Sequence, residues 1–236
     1  MSGEALLSFA RPTLSLLFEI GRFALPLCIA QVASIGILTA DLWMMGQLST
    51  FDLAAGSLAV RLYQPFYFVS LGLLSIISAL VAQSLGAQQP EIARRVFQQG
   101  LILSAGLGLC FMIPLLAGET ILLTLGQSKE IATHARNFLF WSAFGLPASL
   151  IFLSMRFFTT GHGETRPQLI ATFIGLGFNL CANQILAHGL FGLPSFGLGG
   201  IALATSLTYT IMCLYLGLMI KTKKPFAATR PFKRWW

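Results

Sequence analysis

Long apolar runs, separated by short polar and charged segments, dominate the pattern of this chain. A helix needs about 20 mostly apolar residues to cross a membrane. The uncharged run from 167 to 220 is too long for one helix, and the glycines and proline of 187–200 divide it into two spans and a turn. The pattern therefore predicts six membrane-spanning helices, at 20–48, 55–86, 94–118, 132–157, 166–188 and 197–220.

Composition points to the same class of protein. Hydrophobic residues make up 56% of the chain and charged residues 10%, and the mean hydropathy is +0.77. Soluble domains are about 25% charged, so we infer an all-α, multi-pass membrane protein surrounded by lipid. The net charge of +7 comes from residues at span ends and in the tail, so we interpret it as a topology signal and expect no nucleic-acid partner.

The basic residues are divided unevenly between the two sides of the predicted bundle. Twelve of the 15 Lys and Arg residues, Arg156 among them, fall on one side and three on the other. The positive-inside rule then places both termini in the cytoplasm, in agreement with an even number of spans in the inner (plasma) membrane. The first apolar run is too long for a signal peptide, so no cleavage is expected.

One charged residue, Asp41, interrupts the first span. It is the only charged residue between Arg22 and Asp52. A carboxylate near the membrane centre costs about 2.5–3.5 kcal/mol on insertion scales. Asp41 would therefore face a water-filled cavity, bind a cation or stay protonated, and each is the behaviour of an ion-coupling site. The alternative is a shifted first helix that places Asp41 at the outer interface.

Few other polar residues fall within the spans. Asn179 and Asn183 are four residues apart and so share a face of the fifth helix. Thr205 lies early in the sixth helix, and Gln31 lies ten residues before Asp41. An acid, two amides and a hydroxyl would form an oxygen-rich site for a cation or proton. Alternatively, the two amides only join helices by hydrogen bonds.

Motifs for other chemistry are missing from the sequence. The four cysteines lie in apolar runs without a CxxC motif, so we expect them to face other helices rather than to form a disulfide framework. The segment "GHGET" (161–165) is interpreted as a solvated turn, and His134 and His188 are isolated. The chain is therefore not expected to be an enzyme or to hold a cofactor, or a metal other than a coupling Na⁺.

Six segments together resemble the first half of the MATE (multidrug and toxic compound extrusion) transporters, with a NorM-like character. The segments are "ALPLCIAQ", "ADLWMMGQLSTFDLAAGSLA", "QPFYFVSLGLLSIISALVAQSLGAQQ", "RRVFQQG", "RFFTTGHGETRPQL" and "FNLCANQILAHGLFGLPSFGLGGIALATS". Each segment alone is a weak signal, but the six follow one another in the order of the family over about 200 residues.

The resemblance implies antiport of cationic, amphipathic organic molecules against Na⁺ or H⁺. It assigns the coupling acid of the first helix to Asp41 and the polar pair of the fifth helix to Asn179 and Asn183. It adds Thr205 as a sixth-helix threonine that can join the site. Some members carry an acid where this chain has Asn183, so the type of ion and the stoichiometry stay open.

The resemblance also bears on the walls of the binding cavity. Pro26 matches a first-helix proline that is linked to bending in some members. Gln31 and Gln64 are further candidates for lining a cavity or accompanying that bend.

MATE transporters have twelve helices in two lobes, whereas this pattern gives six. The resemblance therefore implies one lobe, residues 1–220, followed by a basic cytoplasmic tail, 221–236, that resembles the start of an inter-lobe linker. We expect a truncated or split transporter whose partner is a second lobe, either a C-terminal half or a second copy. A lobe of a lipid-linked oligosaccharide flippase and a small oligomeric channel are the alternatives.

Overall fold

The computed structural model describes residues 14–192, 194–223, 226, 229, 231 and 232. The expectation of an uncleaved N-terminus concerns residues that lie outside this set, and so does most of the predicted tail. Most of the described residues are helical, and none of them lies in a strand.

Seven α-helices and one short 3-10 helix, Leu190–Gly192, make up most of this part of the chain. The bounds of the α-helices are α1 Leu14–Leu48, α2 Thr50–Gly86, α3 Pro90–Leu116, α4 Gly118–Thr124, α5 Lys129–Gly161, α6 Arg166–His188 and α7 Gly197–Thr222. All except the short α4 are long and apolar enough to cross a membrane. The prediction of an all-α protein with six membrane-spanning helices is therefore confirmed.

Short turns reverse the chain between the helices, and some helix ends carry a capping residue. The Ser49 hydroxyl accepts a hydrogen bond from the Asp52 amide at the start of α2, at 2.9 Å. Gly189, in the left-handed conformation with φ 71°, ends α6. The turns define two ends of the bundle. We call them the tail end (87–89, 162–165, 223, 226, 229, 231 and 232) and the far end (49, 117–128, 189–192 and 194–196).

The central element of the bundle is α5. Within its most apolar 18-residue stretch 67% of the residues are buried, against 22% in each of α1, α2 and α3. It packs against α2, α3 and α7, while α1 packs instead against α2, α6 and α7. As a result α1 and α5 face each other across a space inside the bundle and do not pack closely.

Small residues bring α5 close to its neighbours. A Cβ atom built on Gly108 of α3 would lie 2.6 Å from the Cα atom of Pro147, and one built on Gly145 would lie 2.9 Å from the Cα atom of Ser206 on α7. Such contacts permit the tight van der Waals packing that holds membrane helices together.

The prediction for the cysteines is wrong for three of them. Cys28, Cys110 and Cys181 are exposed on the outside of the bundle, and only Cys213 is partly buried. The reason is that a lipid-facing surface is as apolar as a helix interface, so a small apolar residue in a membrane helix fits either.

Part of the tail packs against the tail end of the bundle. The Phe226 side chain is fully buried, and its ring centroid lies 5.9 Å from that of Phe158 and 5.1 Å from that of His162. His162 Nε2 lies 3.2 Å from the Thr229 hydroxyl. The prediction of a solvated turn is thus wrong for His162: the turn exists, but this side chain is partly buried beneath the tail.

Candidate functional site

Four predicted site residues come together around the Asp41 carboxylate. Its Oδ1 atom accepts hydrogen bonds from the amide groups of Asn179 and Asn183, at 3.1 and 2.8 Å. Its Oδ2 atom accepts one from the Thr205 hydroxyl at 2.7 Å. Asp41 is only 4% exposed, so the carboxylate is enclosed between α1, α6 and α7.

The two asparagines are connected to each other as well as to the acid. Asn183 Nδ2 also donates to Asn179 Oδ1 at 3.2 Å, as expected for residues one turn apart. Asn183 Oδ1 is buried and has no hydrogen-bond partner within the described part of the chain. An unpaired buried carbonyl oxygen beside a carboxylate is a ready ligand for a hard cation. Carboxylate, amide and hydroxyl oxygens are the donors that Na⁺ accepts, so the residues present fit such an ion.

A cavity of about 640 Å³ adjoins this cluster. It is bounded by α1, α2, α5 and α7, and Asp41 and Thr205 both contribute to its wall. Most of the remaining wall is apolar or aromatic, including Tyr63, Tyr67 and Tyr209. The volume lies in the range of about 300–1,000 Å³ that is typical of pockets for small organic ligands.

The other predicted residues divide between this cavity and its surroundings. Gln31 and Gln64 line the cavity. Pro26 lies within α1 and outside the cavity wall, fifteen residues before Asp41 or about 22 Å along the helix. Asn179 and Asn183 lie behind the carboxylate and do not line the cavity. The structure therefore separates a polar cluster around Asp41 from the glutamines of the wider cavity.

Arg156 is the residue that sequence reasoning missed. It was counted among the basic residues that set the topology, but its side chain lines the cavity and Nη2 donates to Gln31 Oε1 at 3.1 Å. Its position within the predicted 132–157 span, one residue before the end, was the available signal. The three tyrosines were missed as well, because a single tyrosine in an apolar helix carries no pattern.

A smaller polar feature lies at the far end. His134 Nε2 is 3.2 Å from Asp52 Oδ1, and both residues border a second pocket of about 600 Å³ together with His188. Among the described residues, no group of three or more His, Cys, Asp or Glu side chains could hold a metal ion. The Asp41 cluster is the better candidate for an ion site, because its carboxylate is buried and the unpaired Asn183 Oδ1 lies beside it.

The structure combines six membrane-spanning helices with a buried acid and an adjacent aromatic cavity of ligand size. This combination is typical of membrane carriers. The family model MatE matches residues 26–185, which is more than half of the chain. The chain belongs to the MATE family of membrane transporters, as the resemblance predicted. It is accordingly a multi-pass membrane protein and not an enzyme.

Individual relatives agree with this assignment. The chain is 34% identical to the "Probable multidrug resistance protein NorM" of Bradyrhizobium diazoefficiens over 215 residues, which is 91% of this chain and 46% of that protein. It is 33% identical to "Multidrug resistance protein NorM" of Vibrio cholerae, over 90% of this chain and 46% of that one.

A solved structure shows the same fold. The crystal structure of the eukaryotic MATE transporter AtDTX14 superimposes with a TM-score of 0.86 at 20% identity, and the match covers 93% of this chain and 48% of that one. The chain thus spans about half the length of the relatives that it matches.

Proposed function

We propose that this chain is the N-terminal lobe of a transporter that exports cationic or amphipathic drugs in exchange for Na⁺ or H⁺. The names of its NorM relatives support the drug class. The match to about half of each relative supports a role as one lobe of two. The observation that carries the proposal is the enclosed Asp41 carboxylate on the wall of a ligand-sized cavity.

The cluster supplies a way to exchange an ion for a drug. Asn179 and Asn183 hold Oδ1 from behind, whereas Oδ2 is held only by the Thr205 hydroxyl at the cavity wall. A hydroxyl can rotate from donor to acceptor, so Thr205 is able to serve both a free carboxylate and an ion-bound one. A proton or Na⁺ at Asp41 removes the negative charge that favours a cationic drug, and the two ligands therefore compete.

Export further requires two lobes that move against each other. Alternating access arises when two bundles rock about a site between or within them, and the chain described here supplies one bundle. We therefore infer that this bundle works with a second lobe in the inner membrane, with the termini of the bundle in the cytoplasm. Expressed alone in a drug-hypersensitive host, residues 1–236 should give no efflux of a fluorescent organic cation. Efflux that depends on Asp41 would instead establish a working homodimer.

The ion-coupling role is tested on the single lobe. The purified chain should melt at a higher temperature as Na⁺ replaces K⁺ or as pH is lowered, since a ligand that binds the folded state stabilises it by RT ln(1 + [L]/Kd). Asp41→Asn should abolish this response. Asp52→Asn is the matched control, because it removes an acid at the far end that borders a different pocket. A response that survives in Asp41→Asn but is lost in Asp52→Asn would overturn the assignment.

A further inference from the structure

Buried polar side chains form a line along one face of α6. Gln168, Thr172, Asn179 and Asn183 follow one another at intervals of four, seven and four residues, so they share a face, and none of them is more than 2% exposed. The line runs for about 22 Å, from the Asp41 cluster toward the tail end. Its two asparagines belong to that cluster, whereas Gln168 and Thr172 lie below it. Polar groups are costly to bury inside a membrane bundle, so these two residues need an explanation.

The hydroxyl groups in the lower half of the line do not join helices. Thr172 donates to the Gln168 carbonyl of its own helix at 2.9 Å. Thr208 of α7, whose methyl group faces Gly175 of α6, donates to the Ala204 carbonyl of its own helix at 2.8 Å. Hydrogen bonds between helices are the ordinary reason for polar residues in a membrane bundle, and neither hydroxyl makes one within the described part of the chain. Each hydroxyl oxygen therefore keeps acceptor capacity for another partner.

A polar atom without a partner lies at each end of the line. Within the described residues, the buried side-chain atoms that have no hydrogen-bond partner are Asn183 Oδ1 and Gln168 Nε2. The other end of the Gln168 amide, Oε1, accepts from the Thr160 hydroxyl at 3.4 Å, and Thr160 is partly exposed near the tail end of α5. Buried polar groups of this kind bind internal water. Gln168 is therefore a water site next to a hydroxyl that solvent can reach.

The line and the cavity are separate spaces. Gln168, Thr172 and Thr208 do not belong to the cavity wall, whereas Met212 does. The Met212 side chain is 1% exposed, and its Sδ atom would overlap a Cβ atom built on Gly175, so it fills the space between the cavity and α6. A molecule in the cavity therefore leaves the line unobstructed.

We propose that this line and the neighbouring Thr205 and Thr208 of α7, together called the polar stripe, carry protons between the tail end and Asp41 without passing through the cavity. The inference rests on the proposed ion-coupling role of Asp41 and adds the route by which a proton reaches that residue. Na⁺ does not travel along hydrogen-bonded hydroxyls, so the stripe serves the proton alone. A proton is thus able to leave Asp41 toward the tail end while a drug occupies the cavity.

Each transfer along the polar stripe conserves protons. The Thr205 hydroxyl, which donates to Asp41 Oδ2 at 2.7 Å, passes its proton to that oxygen and takes one from the water behind it. The hydroxyls of Thr208 and Thr172 repeat this exchange through bound water, and the water at Gln168 takes its proton from solvent at the tail end. The amide groups keep their protons and hold the waters in place. The net change is one proton moved from solvent to the carboxylate, and release follows the reverse order.

The other titratable or charged side chains around Asp41 belong to the cavity. They are Tyr63 and Tyr67 on α2, Arg156 on α5 and Tyr209 on α7, while α6 faces Asp41 with amides only. Asp41 is the one carboxylate in the described part of the cavity wall. Its protonation is therefore followed by the infrared C=O stretch of a carboxylic acid, assigned as the band that Asp41→Asn removes.

The test measures this protonation with the cavity blocked. In the purified full chain in lipid nanodiscs, with the native cysteines replaced, Ser75→Cys on the exposed cavity wall is coupled to a bulky, neutral aromatic maleimide. A jump to low pH then starts the reaction, and time-resolved infrared spectroscopy records the Asp41 band. We expect the blocked chain still to protonate Asp41, because the polar stripe stays open.

Two variants of the blocked chain interrupt the polar stripe. Gln168→Leu removes the water site and Thr172→Val removes a hydroxyl, and each should slow the protonation by about tenfold, the effect of one lost hydrogen bond on a rate. The final intensity of the band should not change, since neither residue bonds to Asp41. Thr210→Val is the matched control: its hydroxyl also bonds to its own helix, at the Ser206 carbonyl, but on the exposed face of α7, and its removal should leave the rate intact.

The outcomes separate this inference from the function on which it rests. Equal rates in the blocked chain and in both stripe variants overturn the proton route, and so does loss of the band when the cavity is blocked. A band that is missing at every pH, while Na⁺ still raises the melting temperature, overturns the proton route and leaves ion coupling in place. Absence of both responses overturns both proposals.

Discussion

At the scale of single residues, the two oxygens of Asp41 accept hydrogen bonds from different kinds of group. Oδ1 accepts from two amides, which at this position are donors, and Oδ2 accepts from the Thr205 hydroxyl, which can donate or accept. The free acceptor of Asn183 lies beside the first oxygen. Exchange of a proton or an ion therefore depends most on Thr205.

Two substitutions of Thr205 distinguish the contribution of its hydroxyl from that of its side-chain volume. Thr205→Val keeps the volume and removes the hydroxyl oxygen that could bind a cation beside Oδ2, so the Na⁺-dependent stabilisation of the lobe should weaken by about tenfold in apparent affinity, the value of one hydrogen bond to a charged group. Thr205→Ser keeps the hydroxyl and should respond like the wild type. Thermal unfolding across a series in which Na⁺ replaces K⁺ measures both, and identical curves for the two variants would contradict this role.

Two glycines on α3 give a second residue-scale prediction. A Cβ atom on Gly108 would meet backbone and side-chain atoms of Pro147, whereas one on Gly106 would have no neighbour within 4 Å. Gly108→Ala should destabilise the lobe by about 1–3 kcal/mol through overpacking. Gly106→Ala should be neutral or stabilising, by up to about 1 kcal/mol, because alanine is the better helix former. Melting temperatures of the two purified variants provide the check, and an equal loss in both would argue against the α3–α5 contact.

At the scale of elements, the sequence indicates how many helices there are better than it indicates which way they face. Charge-free runs and the glycine-rich break in 187–200 were sufficient for six spans. The inward faces were harder to predict, because lipid and protein interior are both apolar and periodicity is lost. For that reason three cysteines were placed wrongly and Arg156 was missed. Asp41, Asn179 and Asn183 could be brought together from sequence because polar groups in a membrane helix turn inward.

The packed tail is the other element-scale finding. Phe226 and Thr229 cover His162, and Gln98 Nε2 donates to the Pro231 carbonyl at 3.1 Å. The structured part of this lobe thus continues beyond α7, across the ends of α3 and α5.

Docking of this tail should depend on pH. Burial lowers the pKa of His162 below its ordinary 6.5, against the opposing effects of its hydrogen bond to Phe158 and the charge of Glu164. The undocked state therefore binds more protons between the lowered pKa and 6.5. Docking is then strongest above pH 6.5 and weakens as pH falls through that window.

Hydrogen exchange of the Phe226, Thr229 and Phe232 amides, corrected for the intrinsic rate, measures this docking. Protection should be lower at pH 5 than at pH 7.5 in the wild type. It should be independent of pH in His162→Gln, whose amide stays neutral, and low at both values in Phe226→Ala, which leaves the tail without its buried ring. Equal pH dependence in wild type and His162→Gln would contradict the role of this histidine.

At the scale of the whole molecule, the two ends of the bundle define its orientation. The tail end carries the basic residues that the positive-inside rule assigns to the cytoplasm, including Arg94, Arg95 and Arg166. The far end carries the turn of 189–196. The arrangement of the chain in the membrane can therefore be tested with one residue at each end.

Labelling of single cysteines should show which end faces out. In a chain whose four native cysteines are replaced, Ser195→Cys at the far end should react with a membrane-impermeant maleimide in intact cells, and Gln89→Cys at the tail end should react only after lysis. Both positions are exposed. Gln89 is preferable to Gly163, whose φ of 74° disfavours a side chain. The reverse labelling pattern would invert the topology.

The deep burial of α5 has a consequence for how the lobe is made. The Ser154 hydroxyl of α5 reaches the Gly100 carbonyl of α3, and Ser149 lies 3.3 Å from the Tyr63 hydroxyl of α2. Both partner helices are synthesised before α5, so it leaves the translocon beside surfaces that can receive its polar groups. Its remaining face, which carries the Trp141 carbonyl, is covered only when α7 is made and the Ser206 hydroxyl donates to that carbonyl. The order of synthesis thus matches the order in which the faces of α5 are covered, and α7 completes the wall of the cavity.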